Sequence, residues 1–377
     1  MSEVANIPQL RFPEFGDNWE EKKLGNVTSI VMGQSPDSTS YNSNGIGLYL
    51  IQGNADIKKR KTLPRVWTDT PTKECKVGDI IMTVRAPVGA VAKSIHNACI
   101  GRGVCAIRNN QHSVSNYIYQ FLLSFEKKWV KFEQGSTFTA VNTKDVKSLK
   151  LILPPVQEQT KIAAFLTAVD NKIEQLSKKQ ALLGEYKKGL TQQIFSQAIR
   201  FKADDGSDFP DWEERKLGDV GKVYQPKTIS QTDLTTKGFD VYGANGIIGK
   251  YSEYNHEFEQ IAVTCRGNTC GTVNFTKPKS WITGNAMVVN VDDSKVVNKT
   301  FIYYQLSHTN LTYLITGSGQ PQITGDIKTH KVKTPSLPEQ TKIANFLSSI
   351  DSKIEQVGKQ LDESKQFKKA LLQQMFV

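Results

Sequence analysis

Apolar residues recur along two long stretches of the chain with alternating steps of four and three. In the first stretch, residues 158–195, they include Ile162, Leu166, Val169, Ile173 and Leu176. In the second stretch, residues 339–376, they include Ile343, Leu347, Ile350, Ile354 and Val357. This spacing is a heptad pattern. It predicts two long helices, each with a narrow apolar seam that packs against a partner helix.

The two stretches are copies of one another. The first begins EQTKIAAFL and the second EQTKIANFL, and about 20 of the 38 aligned positions are identical at a constant offset. Because both seams keep one register, the simplest partner for each helix is the other copy. Polar residues interrupt the seams at heptad core positions, namely Gln180, Lys187, Ser364 and Lys368. Such residues weaken a coiled coil but fix its register.

The repeat extends beyond the helices, because WEEKKLGNV at Trp19 returns as WEERKLGDV at Trp212. The sequence therefore predicts an α+β chain of two tandem mixed α/β domains. Their two long helices pair as an antiparallel coiled coil with a pseudo-two-fold axis. The predicted segments are a first domain with its N-terminal linker (1–157), a central helix (158–199), a second domain (200–338) and a C-terminal helix (339–377).

Inside the two domains the framework repeats while the loops differ. β-rich runs, GDIIMTV at Gly78 and IAVTC at Ile261, each lead into an arginine and a glycine-containing turn, at Arg85 and Arg266. Later loops rich in Gly, Ser, Thr and Gln read QGSTFTAVNTKD in the first domain and TGSGQPQITGD in the second. A common frame with divergent loops is typical of two related domains that recognise different targets.

Charge favours an acidic polymer as the partner. The 377 residues contain 48 Lys and Arg against 37 Asp and Glu, a formal net charge of +11. Residues 1–157 hold much of the excess, with 20 Lys and Arg against 13 Asp and Glu. No apolar run approaches the roughly 18 residues of a membrane span, and the first residues lack a secretory signal. We therefore expect a cytoplasmic protein.

Cysteine usage agrees with a reducing compartment. The cysteines are odd in number and their spacings are not those of zinc sites. They are Cys75, Cys99, Cys105, Cys265 and Cys270. We expect reduced thiols and no metal site.

The order of the repeated blocks is similar to that of the specificity subunit of type I DNA restriction–modification systems. The blocks are WEE(K/R)KLG, a GDI-type strand with its RxPVG turn, a GS loop, and LPP followed by EQTKIA and KIEQ. They cover nearly the whole chain and both copies, and the second copy is one residue shorter at the join, reading SLPEQ at Ser336. The resemblance implies that each globular domain is a target recognition domain that reads one half of a split, asymmetric DNA site.

The same resemblance implies that the paired helices act as a ruler between the domains and dock methyltransferase subunits. The implied partners are double-stranded DNA and two methyltransferase (M) subunits, and whether restriction (R) subunits also bind stays open. No cofactor is expected on this chain, and S-adenosylmethionine is expected on the methyltransferase subunit.

The residues themselves also argue against catalysis. An amino-methyltransferase carries an Asn/Asp-Pro-Pro-aromatic motif, whereas the one candidate here, Leu153–Val156, lacks both the polar first residue and the aromatic last one. No glycine-rich cofactor fingerprint follows a strand, and Gly243–Lys250 resembles a phosphate loop with the wrong spacing. We therefore expect a non-catalytic chain.

Candidate DNA contacts are the polar and basic residues of turns and loops, since Arg, Asn, Gln, Ser and Thr read base edges and Lys and Arg grip phosphates. Those in the first domain are Gln34, Ser35, Lys58, Lys59, Arg60, Lys61, Arg85, Arg102, Ser136 and Thr137. Those in the second are Asn245, Arg266, Asn268, Asn285, Gln320 and Gln322. Arg85 and Arg266 occupy matching turns, so a framework role for both stays open.

Two other functions also stay open on the sequence: a stand-alone sequence-specific DNA-binding protein, and a scaffold whose domains bind protein. A scaffold would show no salt-sensitive affinity for DNA. A stand-alone regulator would bind its site tightly without a methyltransferase.

Overall fold

The computed structural model describes residues 7–129, 140–244, 246–317 and 319–376. The chain forms two compact units: unit 1 comprises residues 1–177 and 359–377, and unit 2 comprises residues 178–358. Each unit joins one mixed α/β domain to one part of each long helix. The predicted fold class, two tandem mixed domains with two long paired helices, is confirmed. The four functional segments predicted from the sequence stay a prediction.

Unit 1 is built from short strands and a few helices. Its strands are β1 (Glu20–Lys23), β2 (Thr28–Met32), β3 (Tyr41–Asn42), β4 (Leu48–Ile51), β5 (Ile57–Lys58), β6 (Lys61–Thr62), β7 (Val66–Thr68), β8 (Glu74–Cys75), β9 (Ile80–Thr83), β10 (Val91–Lys93), β11 (Ala98–Ile100), β12 (Val104–Asn109) and β13 (Lys150–Leu153). Its helices are α1 (Leu24–Val27), α2 (Ser115–Phe125), α3 (Thr143–Ser148) and the first part of α4 (Val156–Phe195).

Two sheets form the body of unit 1. One has the order β2-β12-β9-β10-β6-β5 and the other β3-β7-β4-β11-β8, while β1 pairs with β13. The central strand β9 is buried on both faces. Ile80 and Met82 belong to the core that includes α2, and Ile81 belongs to the cluster shared with Ile51 and Ile100 of the second sheet. The alternation of strand side chains therefore joins the sheets and the helix into one body.

Unit 2 repeats this frame with fewer strands. Its strands are β14 (Glu213–Lys216), β15 (Lys222–Tyr224), β16 (Phe239–Gly243), β17 (Gly246–Tyr251), β18 (Ile261–Thr264), β19 (Val273–Phe275), β20 (Trp281–Ile282), β21 (Ala286–Asn290), β22 (Ile315–Thr316), β23 (Gln322–Ile323) and β24 (Lys331–Thr334). Its helices are the rest of α4, α5 (Leu217–Val220), α6 (Lys299–His308) and the first part of α7 (Leu337–Gln374).

The strands of the two main sheets of unit 2 have counterparts in the larger sheets of unit 1. The order β15-β21-β18-β19 corresponds to β2-β12-β9-β10, and the pair β14-β24 corresponds to β1-β13. Strand β16 lies antiparallel to β17 and parallel to β20, just as β4 lies antiparallel to β7 and parallel to β11. Strands β4 and β16 are therefore equivalent positions in the two units.

The apolar seam residues of both long helices lie inside the units. Ile162, Leu166, Leu176, Ile343, Leu347, Ile350 and Val357 are buried, and Val169, Ile173 and Ile354 are half-buried. In unit 1, Ile162 and Leu166 of α4 share a core with Leu371 and Met375 near the end of α7. In unit 2, Ile194 near the end of α4 shares a core with Ile343 and Leu347 near the start of α7. Within each unit the beginning of one helix thus packs with the end of the other, which is antiparallel pairing.

Two lysines at heptad core positions find carboxylate partners on the other helix. In unit 1, Lys368 of α7 pairs with Asp170 of α4. In unit 2, Lys187 of α4 pairs with Asp351 of α7 at 2.6 Å. Each aspartate also accepts a hydrogen bond at 2.7 Å from the short helix of its domain, from Gln120 of α2 in unit 1 and from a tyrosine of α6 in unit 2. The polar interruptions therefore tie each helix pair to its domain.

Candidate nucleic-acid interface

A buried glutamate in the first turn of each long helix holds the linker that leads into the domain. In unit 1 the Glu158 carboxylate accepts hydrogen bonds from the Arg11 guanidinium at 2.7 and 2.8 Å and from the Trp19 indole N–H at 3.1 Å. In unit 2 Glu339 accepts hydrogen bonds from Arg200 at 3.2 and 2.8 Å. Both glutamate side chains are almost fully buried. Pairing compensates their charge.

The glutamine that follows makes the same two bonds in both units. Gln159 Oε1 accepts the Val114 N–H just before α2, and Gln340 Oε1 accepts the Asn298 N–H just before α6. Each glutamine Nε2 donates to the carbonyl of the proline five residues earlier. The repeated Glu-Gln pair therefore fixes each domain on its long helix.

Unit 1 has an open cleft of about 640 Å³ where several strand-connecting segments meet. Three of the predicted DNA contacts line it: Ser35 after β2, Arg85 after β9 and Arg102 before β12. Ser35 Oγ accepts the backbone N–H of Arg102 at 3.2 Å, which holds two of these segments together. Both arginine side chains belong to exposed residues, and neither forms an ion pair within the described ranges. The cleft can therefore offer cationic donors to an anionic ligand.

Gln34 lies just before the cleft and is exposed. Its backbone N–H donates to the Ile100 carbonyl at 2.9 Å, and its own carbonyl accepts the Thr72 hydroxyl. The backbone of Gln34 is therefore held by the second sheet, and the side chain is left on the surface.

The basic run Lys58–Lys61 forms the turn between β5 and β6. Lys59 and Arg60 occupy the left-handed region, with φ of 48° and 64°, which is the geometry of a tight hairpin turn. Arg60 forms a bidentate pair with Glu126, and Lys61 pairs with Glu174 at 2.8 Å. Lys58 and Lys59 form no ion pair among the described residues. Only part of this run is therefore uncompensated positive charge.

In unit 2 the structure brings most of the predicted contacts together. A β-bridge joins Arg266 to Gln322, so the turn after β18 lies beside the loop before β23. Arg266, Asn268, Gln320 and Gln322 are exposed. Asn285 is half-buried, and its carbonyl accepts the backbone N–H of the residue before Arg266 at 2.9 Å. Arg85 has the matching β-bridge in unit 1, with Ala140.

Three predicted contacts, Ser136, Thr137 and Asn245, lie outside the described residues.

In the segments that follow the equivalent strands β4 and β16, sequence reasoning named Asn245 but missed Gln52, Asn54, Ile247 and Ile248. In unit 1 this segment places Gln52 and Asn54 in the lining of the cleft. In unit 2 it is a hairpin that exposes Ile247 and Ile248, 49% and 45% of whose surfaces are accessible. A polar QGN after the apolar run LYLI is a signal that could have revealed the first pair. The sequence gives no comparable signal that Ile247 and Ile248 are exposed, because two adjacent β-branched residues are typical of a buried strand.

Thiol chemistry and metal binding find no support in the part of the chain that the structure describes. All five cysteines are buried, and no group of three or more His, Cys, Asp or Glu side chains could hold a metal ion in the described ranges. Burial raises the pKa of the Cys105 thiol to about 12. Since the thiolate is the nucleophile and the metal ligand, this cysteine is inert near neutral pH.

Comparison with known proteins identifies the family. Residues 16–183 and 210–364 match the type I restriction modification DNA specificity domain. The chain therefore belongs to this family, as the order of its sequence blocks predicts. The two matched ranges cover both repeats, so each unit carries one copy of the family domain.

Relatives and solved structures agree with this assignment. A 204-residue stretch is 36% identical to the MjaX specificity subunit of Methanocaldococcus jannaschii and spans 53% of this chain and 46% of that relative. The MjaVIII specificity subunit of the same organism is 21% identical over 96% of this chain and 92% of its own length. The S subunit structure from M. genitalium superposes with a TM-score of 0.68 at 18% identity, covering 98% of this chain and 99% of that one. Both relatives are named as specificity subunits, and the solved structure shares the fold of this chain.

Over the described ranges, no helix has the length and the apolar run that crossing a bilayer requires.

Proposed function

We propose that this chain is the DNA sequence-specificity subunit of a type I restriction–modification complex and reads a bipartite, asymmetric DNA site with one half-site per unit. The observation that carries the proposal is the repeated frame with unlike loops. Equivalent strands, and glutamine contacts that match at the two helix starts, hold two sets of polar and basic side chains that differ between the units. Membership of the DNA specificity family supports the same conclusion.

In unit 1 the reading surface is the cleft beside Arg85 and Arg102. Arginine is well suited to this task because its planar fork can donate two hydrogen bonds to guanine or to a phosphate. Lys58 and Lys59 supply phosphate contacts from the β5–β6 turn, since their charges are uncompensated. Arg60 and Lys61 serve mainly to hold that turn on the domain.

In unit 2 the reading surface is the turn that carries Arg266 and Asn268 together with the loop that carries Gln320 and Gln322. Arg, Asn and Gln are the side chains that discriminate base edges by paired hydrogen bonds. Gly267 has a positive φ of 83°, which lets the turn bend sharply behind the arginine. Asn285 supports this turn through its backbone and adds an amide at its side.

The paired helices dock two methyltransferase subunits and set the spacing between the half-sites. Tyr186 of α4 and Phe367 of α7 occupy equivalent positions and are 55% and 52% exposed. Exposed aromatic residues are favoured at protein interfaces, so these two are the anchors that we assign to the methyltransferase subunits. S-adenosylmethionine belongs to those subunits, and restriction subunits join where the host carries them. The complex acts on DNA in the cytoplasm.

Methylation mapping tests the proposal. The full chain is co-expressed with its methyltransferase in a host that lacks both, and the modified adenines are mapped. We expect one split, asymmetric motif. Replacing residues 213–338 with the equivalent domain of another family member should change one half-site and leave the other and the spacer intact. Exchange of residues 20–157 is the matched control and should change the other half-site. A short palindromic motif, or a change of both half-sites by one exchange, would overturn the proposal.

A further inference from the structure

The hairpin β16–β17 of unit 2 presents two adjacent isoleucines to solvent. Strand register shifts between Val241 and Tyr242, so Ile248 is an extra residue opposite this step, next to Ile247. Such a β-bulge turns the strand and re-aims its side chains. A Cβ on Gly243 would lie 3.0 Å from Ile248, which shows that this isoleucine packs closely over the glycine backbone. The Ile248 side chain is therefore held in place although nearly half of its surface is exposed, and Ile247 beside it is exposed to the same degree.

Hydrogen bonds tie the tip of this hairpin to the turn that we assign to DNA reading. The Ala244 carbonyl accepts the Thr264 hydroxyl at 2.7 Å and the Thr269 hydroxyl at 3.1 Å. Thr264 ends β18 and Thr269 lies in the turn after Arg266. The hairpin tip, the arginine turn and the Gln322 loop bridged to it therefore lie side by side in unit 2.

The chemistry of the surroundings indicates what an exposed apolar pair would contact there. Arg266 forms no ion pair among the described residues, and Asn268 and Gln322 are exposed neutral donors and acceptors. A protein partner would have to cover this charged and polar turn, whereas DNA complements it. In the major groove the apolar group that proteins recognise is the C5-methyl of thymine.

We propose that Ile247 and Ile248 contact a thymine methyl group in the half-site read by unit 2 and thereby select thymine at that position. This rests on the proposed function, in which unit 2 reads one half-site. In unit 1 the segment after the equivalent strand β4 places Gln52 and Asn54 in the cleft, so the segments that follow the two strands offer different chemistry: hydrogen bonding in unit 1 and apolar contact in unit 2.

Removal of the methyl group from DNA tests the proposal directly. The complex of the full chain with its methyltransferase is titrated with duplexes of the mapped site in which each thymine of the unit 2 half-site is replaced by deoxyuridine, which keeps every hydrogen-bonding group. We expect deoxyuridine at one position to weaken binding about fourfold, the equivalent of one buried methyl group. The Ile247→Ala/Ile248→Ala variant should bind the thymine duplex about fourfold more weakly and no longer distinguish it from the deoxyuridine duplex.

Controls separate this contact from a loss of folding. Val296→Ala removes a similarly exposed apolar side chain (40% exposed), one that lies before α6, and should keep the wild-type ratio of affinities. If the alanine variant fails to assemble, Ile247→Thr/Ile248→Thr keeps β-branched side chains in the strand while making the surface polar.

The possible outcomes distinguish failure of the thymine contact from failure of the proposed function. Equal affinity of the wild-type complex for all thymine and deoxyuridine duplexes, or an undiminished ratio in the isoleucine variant, overturns the thymine contact and leaves the proposed function standing. A variant that binds DNA normally but loses its methyltransferase shows a protein contact instead, which also overturns it. If exchange of residues 213–338 does not move a half-site, the proposed function itself fails, and that result comes from the mapping experiment rather than from the affinity ratios.

Discussion

In unit 1 the strand β4 runs into the polar segment Gln52–Asn54, whereas in unit 2 the equivalent strand β16 runs into a hairpin that exposes Ile247 and Ile248. Around these segments the two units keep the same strand neighbours. The difference teaches where the chain can vary. A segment that begins just after a buried strand can change its chemistry without disturbing the core, because its side chains are exposed to solvent there.

The two units share a set of hydrogen bonds at the start of each long helix. Gln159 and Gln340 make the same pair of hydrogen bonds in the two units. Glu158 and Glu339 differ, however, because Glu158 also accepts the Trp19 indole N–H. The buried indole nitrogen of Trp212 has no hydrogen-bond partner among the described residues. Unit 1 therefore has the more completely satisfied anchor.

The largest predicted effect comes from removing these buried carboxylates. Glu158→Gln should destabilise unit 1 by about 3 kcal/mol, because it leaves the Arg11 guanidinium without its counter-charge in a largely buried place. Glu339→Gln should destabilise unit 2 by about 2 kcal/mol, since Arg200 is more exposed and no indole bond is lost. Hydrogen exchange of the β9 and β18 amides measures the two units separately.

The exposed pair Glu14–Lys161 supplies a matched control. Glu14→Gln removes a carboxylate that also contacts the first turns of α4, but on the solvent side. Its exchange pattern should match the wild type, because exposed ion pairs contribute little. A larger loss in unit 2 than in unit 1 would contradict the comparison of the two anchors.

The long helices were predictable because their signal is local and repeated. Heptad spacing identifies the seam, and the structure begins α4 at Val156 and α7 at Leu337, two residues before the predicted stretches. The sequence did not show which other residues would form a core with each seam. Ile162 and Leu166 belong to one core with Trp19 and Tyr117 of the domain as well as with Leu371 of α7. A periodic pattern shows that a face is buried but does not name what buries it.

The candidate site was predictable in part, for a similar reason. Arg85 and Arg102 stand out because they sit in glycine-rich turns after strands, and the cleft contains both. The ion pairs of Arg60 and Lys61 were not predictable from the sequence. Their carboxylate partners, Glu126 and Glu174, are 66 and 113 residues away in sequence. Long-range pairing of this kind leaves no trace in the local charge pattern.

Replacing Gln52 and Asn54 tests whether the polar segment after β4 in unit 1 reads DNA. Gln52→Ala/Asn54→Ala should weaken binding to the mapped site by about 2 kcal/mol, the scale of one bidentate contact to a base. It should also relax the methylated motif at one position of the first half-site. Gln111→Ala, an exposed amide that does not line the cleft, is the control. An unchanged first half-site, or a change in the second, would show that this segment does not read DNA.

The smallest predicted effect is a loss of stability of unit 2 at mildly acidic pH. Unit 2 buries two histidines: His256, whose ring is hydrogen-bonded to the Tyr224 hydroxyl at 2.8 Å, and His330, which bonds the Tyr313 hydroxyl. Desolvation lowers the pKa of both imidazoles from 6.5, and Asp292 opposes the shift at His256. Below a pH of about 6.5 the unfolded chain therefore binds more protons than the folded one, so stability must rise with pH in that range.

Unit 2 should accordingly lose stability as the pH falls from about 7 to about 5.5, before carboxylates with lowered pKa begin to protonate. The measurement is the protection of the β18 amides against hydrogen exchange, corrected for the intrinsic rate at each pH, with the β9 amides of unit 1 as the internal reference. In the variant His256→Asn/His330→Asn neither side chain titrates, and the difference between the two pH values should shrink. The prediction is wrong if β9 loses as much protection as β18, or if the variant keeps the full difference. The first result would mean that acid acts on a feature common to both units, such as the paired helices, and the second that it acts on unit 2 through a group other than the two histidines.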